Sequence, residues 1–183
     1  MTDKIHQAEL DDLIAENDTG ARDPRGAARK IVLGFALAWP LYQLYMASPL
    51  PFLTGVLLID DSQQRAIHLA FALFLGFLTF PAFLNSPRHR IPVVDWLLAL
   101  LAAGCSLYIL LFYRDVVGNA GGLRSPVETA VSVLGMVLVL EITRRILGLS
   151  LVIVTAIFTL YVFIGPLLPE LLSHRGFSLN RYV

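Results

Sequence analysis

The most specific group of polar side chains in this sequence is Glu141 with Arg144 and Arg145, set in an otherwise apolar stretch. Because residues three and four positions apart on a helix are neighbours, Glu141 can pair with either arginine. Leu140 and Ile146 flank the group and keep it at the edge of the apolar stretch. Two interpretations stay open. The group is either a polar anchor for a helix bend, a lipid headgroup or a partner subunit, or an ordinary ion pair that helps to set topology.

Asp95, Trp96 and His68 are the other candidate structural or interface residues. Asp95 follows Pro92, which predicts a carboxylate in the first turn of a helix, where the macrodipole favours negative charge. Trp96 is typical of an aromatic anchor at a membrane interface. Asp95 alone is not a cation site, because such a site needs further oxygen ligands. We predict that His68 forms a hydrogen bond with a neighbouring helix.

The sequence offers no motif for catalysis, for a cofactor or for a metal ion. The HExxH pattern is absent, and neither Ser106 nor Ser132 lies in a GxSxG context. His68 is the only histidine in a predicted span, which excludes a bis-histidine haem within this chain. The single cysteine, Cys105, can form no internal disulfide and no CxxC site. We therefore expect a protein that is not an enzyme and that holds no cofactor.

The elements that must position these residues are five apolar stretches. A helix rises about 1.5 Å per residue and a bilayer core is roughly 30 Å thick, so about 20 apolar residues are needed to cross it. Hydrophobic residues make up 56% of the chain, charged residues 15%, and the mean hydropathy is +0.69. The pattern predicts an all-α, polytopic membrane protein with about five transmembrane helices, four to six being possible. The predicted spans are residues 31–48, 66–84, 93–113, 127–147 and 149–168.

Basic residues near the first span predict its orientation. Arg22, Arg25, Arg29 and Lys30 precede it, which favours a cytoplasmic N-terminus. We predict a flexible cytoplasmic arm over residues 1–30, a helical bundle over 31–169 and an outer-side tail over 170–183. Pro40 and Pro81 are expected to kink the first and second spans. The formal net charge is zero, so no nucleic-acid partner is expected.

Over residues 65–183 the chain resembles the N-terminal part of the fused permeases of TRAP (tripartite ATP-independent periplasmic) transporters, in the branch that works with TAXI-type binding proteins. The matching positions lie at the start of the second and third predicted spans, at the end of the fourth, and after it. They are Arg65, Ile67, His68, Leu69, Ala70 and Phe71; Pro92, Asp95 and Trp96; Leu140, Glu141, Thr143, Arg144, Arg145 and Gly148; Tyr161, Gly165, Pro166 and Pro169; and His174, Arg175, Gly176 and Phe177.

The resemblance implies a sodium-driven symporter for organic acids or amino acids in the bacterial inner membrane. In such systems a large permease subunit carries the substrate and the sodium ions, and a TAXI-type periplasmic solute-binding protein delivers the substrate. This chain is similar only to the small, scaffold-like part, so no transport residue is carried over to it. The resemblance leaves open a separate small subunit and a fragment of a fused permease.

Two other functions stay open at this point. One is a membrane anchor or assembly subunit of an unrelated complex, which predicts a different partner and no sodium-dependent uptake. The other is a self-contained small transporter or channel, which predicts activity of the purified chain in liposomes.

Overall fold

The computed structural model describes residues 20–83, 86–112, 125–165 and 169, and most of them are helical. No strand occurs in these ranges, which confirms the all-α class. The helices are α1 (Ala27–Ala47), α2 (Leu50–Thr54), α3 (Asp61–Thr79), α4 (Val93–Leu111), α5 (Pro126–Leu147) and α6 (Leu149–Ile164). By length and apolar composition taken together, none of the helices searched in these ranges meets the requirement for crossing a membrane.

The apolar stretches predicted from the sequence coincide with α1, α3, α4, α5 and α6, with one displacement. The second stretch is predicted at residues 66–84, whereas α3 starts at Asp61 and ends at Thr79. Phe80 is extended, with φ −101° and ψ 122°, because the residue before a proline disfavours the helical region. Pro81 therefore follows α3 and kinks no helix, and the prediction that it lies inside a span is wrong. Pro40 lies inside α1 as predicted.

Capping boxes fix the start of two helices. At α3, the Asp60 carboxylate accepts from the backbone N–H of Ser62 (2.6 Å) and of Gln63 (3.2 Å), and the Gln63 side chain accepts from the Asp60 N–H. At α5, Ser125 and Glu128 make the same reciprocal pair at 3.2 and 3.1 Å. These bonds satisfy backbone donors that a helix N-terminus leaves without partners.

The core lies where α3, α4 and α5 meet. Its buried side chains are Leu73, Phe74, Phe77, Leu78, Ala99, Ala102, Leu138 and Ile142. Gly76 brings α3 and α5 together: a Cβ at this position would lie 2.9 Å from Cγ1 of Ile142. The remaining helices are peripheral, with α1 against α3 and α6 against α5. Gly148 alone joins α5 to α6, with a φ of +82° that suits glycine.

The described end of the predicted arm is packed against the bundle. The Arg22 N–H donates to the carbonyl of Thr79 at 2.7 Å, and the Arg25 N–H donates to that of His89 at 3.3 Å. Ala27–Lys30 already belong to α1. Residues 20–30, predicted as part of a flexible cytoplasmic arm, are therefore bonded to the bundle, because their backbone supplies donors to the end of α3 and to the loop that follows. Residues 1–19 and the predicted tail 170–183 lie outside the described residues.

Candidate functional site

Five charged side chains meet at one end of the bundle, and we call them the charge cluster. They are Arg22, Asp95, Glu141, Arg144 and Arg145. They come from the segment before α1, from the first turn of α4 and from the last turns of α5. Three of them bond to carbonyls at the end of α3 or just after it, Arg22 through its backbone N–H and Arg144 and Arg145 through their side chains, so four separate parts of the chain converge there.

Asp95 is the centre of the buried half of the cluster. Its Oδ2 accepts from Nη2 of Arg22 at 2.6 Å, and its Oδ1 accepts from Nη1 of Arg145 at 2.8 Å. The Asp95 side chain is 5% exposed and the Arg145 side chain 2%. Asp95 lies in the first turn of α4, as predicted, yet no side chain caps this helix. Its carboxylate is therefore held by two guanidinium groups from other parts of the chain.

Glu141 forms the more open half of the cluster. Its two oxygens accept from Nε and Nη2 of Arg144, both at 2.8 Å, and Oε1 also accepts from Nε of Arg145 at 2.9 Å. The Glu141 side chain is 29% exposed. The sequence predicts pairing with either arginine; in the structure Glu141 binds both at once. Arg145 bridges the two halves, because its Nε contacts Glu141 and its Nη1 contacts Asp95.

The cluster also binds backbone carbonyls just after the C-terminal end of α3. Arg145 Nη1 donates to the carbonyl of Phe80 at 3.3 Å, and Arg144 Nη2 donates to that of Ala82 at 3.1 Å. Cations near a helix C-terminus also interact favourably with its dipole. The guanidinium of Arg145 lies over the ring of Phe77, 4.9 Å from its centre. The two arginines thus bind the backbone that follows α3 as well as the carboxylates.

The chemistry available to the cluster is that of a fixed clamp. Both carboxylates are occupied by guanidinium groups, so neither is placed to act as a base or a nucleophile. Three arginines face two carboxylates, which leaves one excess positive charge. Nε and Nη1 of Arg22 are buried without a hydrogen-bond partner among the described residues. Among the residues that the structure describes, no group of three His, Cys, Asp or Glu side chains is placed to hold a metal ion.

The structure brings together four of the six residues singled out from the sequence: Asp95, Glu141, Arg144 and Arg145. Trp96 lies beside them, but its ring packs edge-on against Phe74 at the border of the core. Sequence reasoning missed Arg22 as a member of the cluster, because it assigns this residue to the flexible cytoplasmic arm. No local pattern marks this arginine. One signal is that the predicted spans hold three carboxylates, those of Asp95, Glu128 and Glu141, but only two arginines, while four basic residues stand just before the first span.

His68 lies away from the cluster, near the start of α3. Its Nδ1 accepts a hydrogen bond from Nε1 of Trp39 at 3.2 Å, and it contacts the side-chain amide of Gln43. Both partners belong to α1. The prediction that His68 bonds a neighbouring helix is confirmed.

Cavities and grooves lie between several of the described helices. One of 230 Å³ lies between α1 and α3 beside His68. One of 430 Å³ lies between α3, α4 and α5 and includes Cys105 and Ser106, whose hydroxyl donates to the carbonyl of Ala66 at 2.8 Å. A groove of 360 Å³ between α5 and α6 is almost wholly apolar.

Comparisons of the chain with protein-family models, with curated proteins and with solved structures found no match.

Proposed function

We propose that this chain is the small scaffold subunit, or the equivalent domain, of a TRAP-type secondary transporter for organic acids or amino acids, and that it is not an enzyme. Its partners in this proposal are a large permease subunit, which binds sodium and substrate, and a TAXI-type periplasmic binding protein. The observation that carries the proposal is the charge cluster. In it Asp95 joins the segment before α1 and the end of α5 to α4. Glu141 fixes the two arginines of its own helix, which bind backbone carbonyls just after α3. That use of polar groups is typical of a rigid frame.

The exterior of the bundle supports a membrane location. Neither α1 nor α6 has a buried residue, and large apolar side chains are exposed along both. The apolar exterior comprises Leu33, Leu37, Leu41 and Leu44 on α1, Leu97, Leu100 and Leu101 on α4, and Ile153, Ile157, Phe158 and Leu160 on α6. Exposed apolar surface of this extent marks contact with lipid or with protein. The support comes from the exterior as a whole, not from any single helix.

The position of the charge cluster supports a bacterial inner-membrane topology with a cytoplasmic N-terminus. The cluster joins the segment before α1, the end of α3, the start of α4 and the end of α5. Arg88 and Arg90 belong to the loop at the same end. The positive-inside rule assigns such an end to the cytoplasm. With α6 as a fifth crossing, the C-terminal tail would lie on the outer side, as the sequence predicts.

As a scaffold, the chain would brace the moving subunit by keeping its own helix ends fixed. Arg145 ties α5 to α4 and to the residue after α3, and Arg22 ties the segment before α1 to α4. Helices fixed at one end in this way change their relative positions only if buried ion pairs break, which is costly. The apolar exterior would then supply the surfaces for lipid and for the large permease.

The first test is purification of the tagged chain in a gentle detergent from its native membrane, followed by mass spectrometry of what accompanies it. Recovery of a large multi-span permease together with a periplasmic binding protein supports the proposal. Recovery of a different partner, without sodium-dependent uptake, would favour an anchor of an unrelated complex. Recovery of the chain alone as a defined oligomer would favour a self-contained transporter.

A second test separates bracing from substrate binding. Glu141→Ala should lower the amount of permease recovered per tagged chain more than it changes the substrate affinity of the complexes that still form. Asp61→Ala is the matched control, because Asp61 is an exposed carboxylate at the other end of α3. The amount of chain in the membrane is measured alongside, so that poor folding is not mistaken for poor assembly. A changed affinity with normal assembly would contradict the scaffold proposal.

A further inference from the structure

The cavity between α1 and α3 has a composition that the scaffold function does not use. We call it the α1–α3 cavity; its volume is 230 Å³, and it is lined by Tyr42, Gln43, Met46, Gln64, Arg65 and His68. It lies near the start of α3 and near the C-terminal half of α1, so it is at the end of the bundle opposite the charge cluster. Five of its six lining side chains can donate hydrogen bonds, and none is a carboxylate.

The bonds of His68 determine which edge of its ring can donate. Trp39 Nε1 is a donor only, so His68 Nδ1 must accept the bond between them. The neutral ring then carries its proton on Nε2. Among the described residues the structure gives no partner to Nε2, which leaves an N–H donor at the cavity.

Tyr42 supplies a second donor that the protein does not satisfy. Its ring packs beside Phe71, and its hydroxyl is buried with no hydrogen-bond partner in the described part of the chain. Burial of a hydroxyl without a partner is unfavourable, and such groups are uncommon in folded proteins. Tyr42 lines the cavity, so a ligand with an acceptor atom would satisfy this hydroxyl once the hydroxyl turns toward it.

Arg65 supplies the charge. Its nearest carboxylate is that of Asp61, at 3.9 Å, and the side chains are 84% and 86% exposed. An exposed pair at this distance holds the two groups weakly. The guanidinium is consequently available at the mouth of the cavity, where it can make two parallel bonds to one carboxylate.

We propose that the α1–α3 cavity binds the carboxylate of a small organic acid. Arg65 pairs with the carboxylate, and Tyr42 and His68 donate to its oxygens. A carboxylate is acceptor-only when ionised, so it complements a set of donors with one positive charge. The volume limits the ligand to a small acid. The inference goes beyond the scaffold function, because that function assigns no ligand to this chain, and it does not depend on a partner subunit.

The test uses the fluorescence of Trp39, whose indole contacts His68. The chain has two tryptophans, so Trp96→Phe leaves Trp39 as the only one. This chain, in nanodiscs of zwitterionic phosphatidylcholine, is titrated with sodium acetate, lactate and succinate at constant ionic strength. Lactamide, a neutral analogue of lactate, is the ligand control. We expect a saturable change in emission with at least one acid and none with lactamide.

Variants then assign the donors. In the same background, Arg65→Gln should weaken acid binding by about tenfold or more, and Tyr42→Phe by about three- to tenfold, since bonds to a charged group are stronger than neutral ones. Arg90→Gln is the matched control: it removes an exposed arginine from the loop beyond the far end of α3 and should leave binding unchanged. Circular dichroism checks that each variant is helical.

Several results would overturn the inference. These are the absence of saturation with every acid, an equal response to lactamide, and equal affinities for Arg65→Gln and Arg90→Gln. A lipid headgroup is the other source of an anion for this cavity. An emission change produced only by adding phosphatidylglycerol to the nanodiscs, with no response to the free acids, would assign the cavity to lipid instead.

Discussion

Arg145 and Asp95 lie fifty positions apart and form a buried ion pair, with Nη1 and Oδ1 2.8 Å from one another. The pair joins the last turn of α5 to the first turn of α4. Arg22 binds the other oxygen of the same carboxylate from 73 positions away. Removing one member of a buried pair leaves the other charge without compensation, which is far more costly than losing an exposed pair. The stability of this end of the bundle therefore depends on Asp95.

The substitution Asp95→Asn should lower the free energy of unfolding by about 3–5 kcal/mol, because the charges of Arg22 and Arg145 stay buried without their carboxylate. Denaturant titration in detergent, followed by circular dichroism, measures the loss. Asp61→Asn is the control and should change stability little, since its partner Arg65 is equally exposed. Equal effects of the two substitutions would show that the Asp95 pairs are not buried.

Arg22→Met should cost less than Asp95→Asn. Removal of Arg22 leaves two arginines with two carboxylates, whereas removal of Asp95 leaves three arginines with one. For the same reason, the double substitution should destabilise by less than the sum of the single ones, by at least about 0.5 kcal/mol. The same denaturant titration measures the free energy of unfolding of the unchanged chain, of the two single variants and of the double variant. Strict additivity would contradict a direct bond between the two residues.

Arg22→Met should also release the segment before α1. Arg22 holds this segment through its side chain on Asp95, and the backbone bonds to Thr79 and His89 depend on the same placement. We expect faster limited trypsin cleavage after Arg25, measured by mass spectrometry. Arg65→Met is the matched control, an exposed arginine at the opposite end of α3. Unchanged cleavage would indicate that the backbone bonds alone hold the segment.

Glu141→Gln should destabilise by about 1–2 kcal/mol, less than Asp95→Asn. Glu141 is more exposed than Asp95, and both arginines keep other partners without it. Arg145 retains Asp95, and Arg144 retains the carbonyl of Ala82. The two variants are compared in one denaturant series. A larger loss for Glu141→Gln would reverse the assignment of Asp95 as the centre of the cluster.

Gly76→Ala should destabilise by about 1–3 kcal/mol, because the added Cβ would lie 2.9 Å from Cγ1 of Ile142 and force α3 and α5 apart. Thermal unfolding in detergent measures this loss of stability. Gly104→Ala is the control: this helical glycine has open space around it, so alanine should be neutral or slightly stabilising. Ile142→Ala in the Gly76→Ala chain should cost less than it does alone. If the stability losses of Gly76→Ala and Ile142→Ala simply add, then an alanine at position 76 does not crowd Ile142.

Local features of the fold could be predicted from the sequence. The apolar stretches indicated α1, α3, α4, α5 and α6, and the end of α1 at Ala47 follows from the prolines just beyond it. The pairing of Glu141 with its two arginines was also predictable, because all three lie within five positions of one helix. The displacement of α3 could not be obtained from apolar residues alone. Its start is set by Asp60, a polar cap that precedes the apolar stretch.

The sequence by itself determined an all-helical chain whose few buried charges fall at helix ends, because periodicity and helix capping act over short distances along the chain. Only the tertiary structure decided which of those charges meet. Arg22 and Arg145 reach Asp95 because α3, α4 and α5 pack together, with Gly76 of α3 close against Ile142 of α5, and bring their ends together. Packing between helices depends on the shapes of whole surfaces, and no local spacing of residues records it.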